Sequence, residues 1–189
     1  MGDRVKAVDC PVLTVGYGGR ELFELLDLLV RHDVEYVVDV RSYPSSRYKP
    51  QFSRAPLSKE LASKGVRYVF MGLELGGRPD DPSCYDADGH VDYEQCRERP
   101  VFVRAVERLV SGWRDGHRIA VLCSEGKPEE CHRTKLVAEA LIEQGVDVEH
   151  IDVDDELVSH AEVMSRIVDP QLSLLSAGTT ATKSRRAYR

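Results

Sequence analysis

An α/β fold, a three-layer sandwich around a mainly parallel sheet of about five strands, is predicted by three features of the chain. Short β-rich runs alternate with stretches of helical apolar period along most of its length, the mark of repeated strand–helix units. The runs Glu35 to Arg41 (EYVVDVR) and Arg118 to Cys123 (RIAVLC) are apolar through their centres instead of alternating, as strands covered on both faces are. Polar or glycine-bearing turns follow the strands, where an open parallel sheet gathers its ligand-binding residues.

Taken in order, Val12 to Tyr17 reads as the first strand, stopped by Gly18 and Gly19. Glu21 to Arg31 reads as an amphipathic helix, with Leu22, Leu25, Leu26, Leu29 and Val30 at helical spacing. Ser42 to Ala55 holds two prolines and four serines, a loop. Pro56 suits the first turn of a short helix, and Val66 to Met71 is the third strand. Arg78 to Val91, polar and rich in Pro and Asp, reads as a long loop, either a functional lid or a mobile surface connection. Tyr93 to Asp115 carries a helical stripe that Pro100 breaks or restarts. A helix running to about Gln144, stopped by Gly145, a strand Val148 to Val153 and a last helix Glu156 to Val168 complete a domain over 1–170. Beyond Pro170 the Ser, Thr, Ala and Gly content and the ending KSRRAYR predict a disordered basic tail over 171–189.

With 189 residues, 42% hydrophobic and 31% charged, the chain suits one soluble domain with a sizeable core. A net charge of -6 argues against a basic footprint covering the whole domain. The opening MGDRVKAVDCPV lacks an apolar run and a positive lead, so no secretory signal is expected; no run is long enough to span a membrane. Five cysteines, an odd number, point to free thiols in a reducing compartment, the cytoplasm.

The residues that carry chemistry fall at the carboxyl ends of four strands: Tyr17 and Gly18, Asp39 and Arg41, the turn with Gly76 and Gly77, and Cys123 with Glu125. Cys131, His132 and Arg133 follow where a helix begins. Cys123 at a strand tip facing that helix is a candidate nucleophile, or a small buried hydrophobe. Cys131 has a similar case and pairs with it as a candidate dithiol. His132 is a candidate acid/base or a capping histidine. Arg133 and Arg41 offer donor forks for an anion; alternatively Arg133 pairs with Asp39 or Glu125, and Arg41 with Asp39. Asp39 and Glu125 are the candidate carboxylates. Cys123, Cys131 and His132 are three soft ligands, but adjacent Cys and His are an awkward pair for one ion and no CxxC is present, so neither metal nor cofactor is expected. Tyr43, Tyr48 and Phe52 among Arg47, Lys49 and Arg54 form a basic aromatic loop that, with the tail, would suit nucleic acid. Cys10, Cys84 and Cys96 have no partner pattern.

The set VGYGG, DVRSYP, LGG and LCSEGKPEECHR, in that order over roughly 12–141, resembles the domain-of-unknown-function 488 family, whose activity is not established. The resemblance implies an α/β fold and points to Tyr17, Asp39, Arg41, Cys123, Glu125, Cys131, His132 and Arg133. The central loop is also similar to those of rhodanese-type sulfurtransferases and cysteine phosphatases, but the phosphatase loop needs its Arg closer to the Cys than Arg133 stands, and Glu125 would repel a phosphate. The expectation is an enzyme using Cys123 as nucleophile or sulfur carrier on a small anionic or nucleotide-like ligand. The alternatives are a non-catalytic nucleotide or nucleic-acid binding module, and a dithiol redox or metal-sensing protein.

Overall fold

The computed structural model describes residues 10–167 and 179–188. Six strands form the main sheet: β1 (Val12–Gly16), β2 (Tyr36–Asp39), β3 (Arg67–Phe70), β5 (Ile119–Cys123), β6 (Val148–Ile151) and β7 (Leu157–Ser159), in the order β3-β2-β5-β1-β6-β7. All neighbours run parallel except β7, which is antiparallel to β6. The sheet therefore has one more strand than expected. The addition is β7, at the start of the stretch expected to be helical from Glu156; the helix α7 starts only at His160 (His160–Ile167). A three-residue edge strand with one buried residue, Val158, has no periodicity to read.

Helices cover both faces. Along β5, Ile119 and Val121 face one core, and Ala120 and Leu122 the other. The first core holds the apolar stripe of α5 (Pro100–Arg114), with Phe102, Val106 and Leu109, and residues Leu136 to Ala138. The second holds α1 (Leu22–Arg31) and α2 (Arg54–Ser63) through Leu25, Leu29, Leu57 and Leu61. The expected three-layer sandwich results, because strand residues alternate between faces while both faces are apolar.

Two stretches expected to lack structure pair with each other. The end of the 78–91 insertion forms β4 (His90–Asp92), and Lys183–Ala187 of the supposed tail forms β8, antiparallel to β4. Short helices α3 (Gly72–Leu75), α4 (Tyr93–Glu98) and α8 (Thr179–Thr182) complete that side. The expected disorder thus does not hold for 183–187; residues 171–178 and the end of the last expected helix, at Val168, lie outside the described residues. The ordering comes from partners far along the chain: the Val91 amide donates to Ser184 Oγ, and Lys183 pairs with Asp86 at 2.9 Å.

Register fixes the site. Gly16 lies beside Cys123, Asp39 beside Leu122, and Phe70 beside Asp39, so β1, β2, β3 and β5 end at one edge with Cys123 near its middle.

Candidate active site

Cys123 ends β5 as a 3% exposed thiol. The loop after it turns through a 3-10 turn, Pro128–Glu130, and returns to place Cys131 and His132 against it. Cys131 is extended (φ -114°, ψ 145°) and His132 is helical (φ -64°, ψ -22°). That change of backbone state turns both neighbouring side chains toward Cys123. His132 Nδ1 lies 3.6 Å from Cys123 Sγ and 3.8 Å from Cys131 Sγ. Its Nε2 donates to the Val40 carbonyl at 2.9 Å, which fixes the ring and leaves Nδ1 facing the sulfurs. Gly77 is what lets the ring sit there: a Cβ at position 77 would lie 2.6 Å from a His132 ring carbon.

The electrostatics separate the two thiols. Cys123 is held well below the usual thiol range, first by hydrogen bonding to Cys131 and then, against the cost of burial, by the charges of His132 and Arg133. Burial, with the hydrogen bond to Cys123 added, pushes Cys131 well above that range. Burial is the largest single influence on His132 and would lower it, but the charge of Cys123, the hydrogen bond to Cys123 and the hydrogen bond to the Val40 carbonyl together raise the imidazole. These shifts favour a thiolate on Cys123 with a protonated Cys131 and a protonated His132 beside it.

Arg133 opens a π-helical segment, Arg133–Ala138, that runs into α6 (Glu139–Glu143). It is fully buried, and its guanidinium donates to the backbone carbonyls of Glu125 and Gly126, the latter at 2.8 Å. Two of its donors therefore hold the loop between the cysteines, and it does not line the cavity. Gly18 serves the same loop, since a Cβ there would lie 2.7 Å from the Gly126 amide nitrogen. Asp39 and Arg41 form a buried bidentate pair, with Arg41 Nη1 donating to Phe52 O and the Tyr68 hydroxyl donating to Asp39. Asp39 is fully buried and lies outside the cavity, whereas Arg41 touches its wall. Tyr17 stacks on Phe52 with centroids 4.3 Å apart and lies under Arg41. Of the basic aromatic loop, Phe52 is thus committed to the core while Tyr43 and Tyr48 are exposed. Gly76 packs on Ser42.

A cavity of about 280 Å³ opens over the sulfurs. Cys123, Cys131, His132, Glu125, Arg41 and Gly77 among the expected residues line it. Tyr43 of the basic aromatic loop and Arg185, Arg186 and Tyr188 of the basic tail also line it, as do Ser124, Tyr93 and Arg78, which were not foreseen. Arg78 follows the LGG turn and was a visible cation; the tail's basic charge was also visible, but nothing in the sequence placed it at the thiols.

The three ligand atoms of Cys123, Cys131 and His132 lie within 4.8 Å of one another. Bonds of about 2.3 Å to sulfur and 2.0 Å to nitrogen at tetrahedral angles imply S···N edges of roughly 3.6 Å, and the observed spacings are 3.6 and 3.8 Å. The backbone change at Cys131 and His132 removes the awkwardness expected of adjacent ligands, and the trio could hold a zinc-like ion with a further position open to the cavity.

No helix among the described residues is long and apolar enough to cross a membrane. Comparison with curated proteins and with solved structures finds no match. A family model described as a domain of unknown function, DUF488, matches residues 21–141, which takes in β2, β3, β5 and the whole Cys123 to Arg133 loop; the chain belongs to that family.

Proposed function

We propose that this protein is a cysteine-dependent enzyme acting on a small anionic ligand, with Cys123 as nucleophile or sulfur carrier. The observation that supports it most is the 3.6 Å approach of His132 Nδ1 to Cys123 Sγ beside a cavity, with His132 fixed from behind by Val40. The thiolate attacks an electrophilic atom of the ligand, a bond from sulfur to that atom forms, and the leaving group departs with the bonding pair and takes the His132 proton. Cys131 donates to the thiolate and sits where it meets an adduct on Cys123. Asp39, Arg41 and Arg133 act as positioning residues for the strand ends and the loop, and Glu125 stands at the cavity rim. All five cysteines are free, which suits a reducing, cytoplasm-like compartment.

Thiosulfate is a direct probe of the sulfur-carrier form. Attack on its outer sulfur breaks the sulfur–sulfur bond, releases sulfite and leaves a persulfide on Cys123. A gain of one sulfur on the Cys123 peptide, absent in Cys123→Ser, supports the proposal. No adduct with thiosulfate, together with ordinary alkylation of Cys123, sinks it.

The S···N spacings favour one other reading, a soft-metal site on the same three residues. Equilibrium dialysis against zinc distinguishes them. One ion retained per chain, lost in Cys131→Ser and blocking Cys123 alkylation in the protein as isolated, would replace the nucleophile reading with the metal one.

A further inference from the structure

The arginines that looked like anion clamps are committed elsewhere. Arg133 spends two donors on loop carbonyls, and Arg41 is divided between Asp39 and Phe52 O. The cavity has other cations. Arg78 and Arg186 line it and make no ion pair with a carboxylate among the described residues. Arg78 lies over the Tyr188 ring at 4.2 Å, and both residues line the cavity.

The strand that brings Arg186 is fastened at several points. Arg185 pairs with Glu130 at 2.5 Å and Glu125 at 3.9 Å, both on the loop between the two cysteines. Lys183 pairs with Asp86, and the Tyr188 amide donates to Gly89 O at 2.8 Å. Ser184, 6% exposed, accepts from the Val91 amide. These contacts set β8 as a wall facing the sulfurs. They also divide the labour along the chain: the family match ends at residue 141, so the thiols lie inside it and this wall outside it.

We infer that β8 completes the site and that Arg186, with Arg78, reads the charged end of the substrate, which is a small phosphate-bearing molecule. Planar guanidinium forks match phosphate oxygens two at a time, and two cations that pair with no carboxylate among the described residues suit a dianion better than a single carboxylate. The cavity volume of about 280 Å³ restricts the ligand to a small molecule. Glu125 and Glu130, whose charges would repel a phosphate, are answered by Arg185. The inference rests on the reading of this cavity as the substrate site of a Cys123 enzyme and names the substrate class.

The test uses the full chain and inorganic pyrophosphate. Calorimetry measures its binding to the wild type, to Arg78→Gln with Arg186→Gln, and to Arg108→Gln, an exposed arginine on α5 that serves as the control for general charge. Circular dichroism and the melting temperature verify that each variant folds. The expected result is saturable binding that weakens at least about tenfold in the double variant and stays within twofold in the control. No saturable binding to the wild type, an undiminished affinity in the double variant, or an equal loss in the control overturns the inference. Calorimetry does not need a reactive thiol. Arginine-dependent binding with an inert Cys123 would sink the enzyme reading and leave the anion site standing; a reactive Cys123 with no binding would do the reverse.

Discussion

Two histidines, His132 half-buried and His150 fully buried, are driven in opposite directions by their surroundings. His132 faces the Cys123 sulfur and is raised against the effect of burial by the Cys123 charge together with its hydrogen bonds to Cys123 and Val40. His150, on β6, is fully buried and pushed down to about 3 by burial, with His160 and Arg133 adding repulsion. Its Nδ1 meets the Thr14 hydroxyl at 2.7 Å, its Nε2 lies 3.0 Å from His160 Nδ1, and His160 Nε2 lies 2.9 Å from Glu139. With Glu139 accepting, the chain has one consistent direction: His160 donates to Glu139, His150 to His160, and Thr14 to His150. One histidine is tuned to carry a charge beside a cavity and the other to stay neutral while joining β1, β6, α6 and α7. Burial alone says nothing about role; the partner decides.

Arg133 touches both halves of that comparison, and its loss should have the largest effect. Arg133→Ala leaves the Glu125 and Gly126 carbonyls without their donors and empties a fully buried site, so a loss of about 3 kcal/mol or more is expected in urea unfolding. An unchanged midpoint would show that the loop holds itself.

The histidine relay should separate from the thiol site in the next test. His150→Gln should cost about 1–3 kcal/mol of stability without changing Cys123 labelling. The pH dependence has a definite sign. Unfolded His150 takes up a proton near the ordinary value of about 6.5, whereas the folded side chain does so only at about 3. Between those values the unfolded state binds more protons, so the wild type should lose stability as pH falls through that window, and the variant should lose less. Glu139, lowered by its hydrogen bond to His160, contributes in the same direction at the acid end. Equal acid slopes in both proteins would mean that His150 is not the neutral member of the relay.

A methyl group sharpens the other side. Gly77→Ala drives a Cβ into the His132 ring and should slow Cys123 alkylation at pH 6 about tenfold, as a displaced imidazolium no longer holds the thiolate, while the relay's acid slope is untouched. The smallest effect belongs to Glu130→Gln. It releases a partly exposed ion pair with Arg185, so stability should change by at most about 1 kcal/mol, read by thermal unfolding.

Much of this was legible in the sequence, for physical reasons that also mark the limits. Strands buried on both faces announce themselves as apolar runs, so β1, β2 and β5 were readable, and Cys123, Glu125, Cys131 and His132 were readable because reactive side chains at a strand end are rare. Residue type did not show what a side chain would spend its donors on. Arg133 went to backbone carbonyls, which have no sequence signature, and Gly18 and Gly77 allow close backbone and ring packing, with Gly77 also lining the cavity. Cys84 and Cys96, left without a role by the sequence, are buried in the core beside each other. The wall formed by β8 was unreadable because KSRRA has no apolar alternation; its order depends on the insertion that carries β4 and Asp86, almost a hundred residues earlier.

The most direct test of the central claim is the pH profile of iodoacetamide labelling on native protein, followed cysteine by cysteine by peptide mass spectrometry. The account predicts that Cys123 labels first, with a midpoint well below the usual thiol value of about 8.5, and that Cys131, held as a thiol, lags far behind. Cys123 labelling with an ordinary midpoint, or Cys131 reacting first, would contradict it.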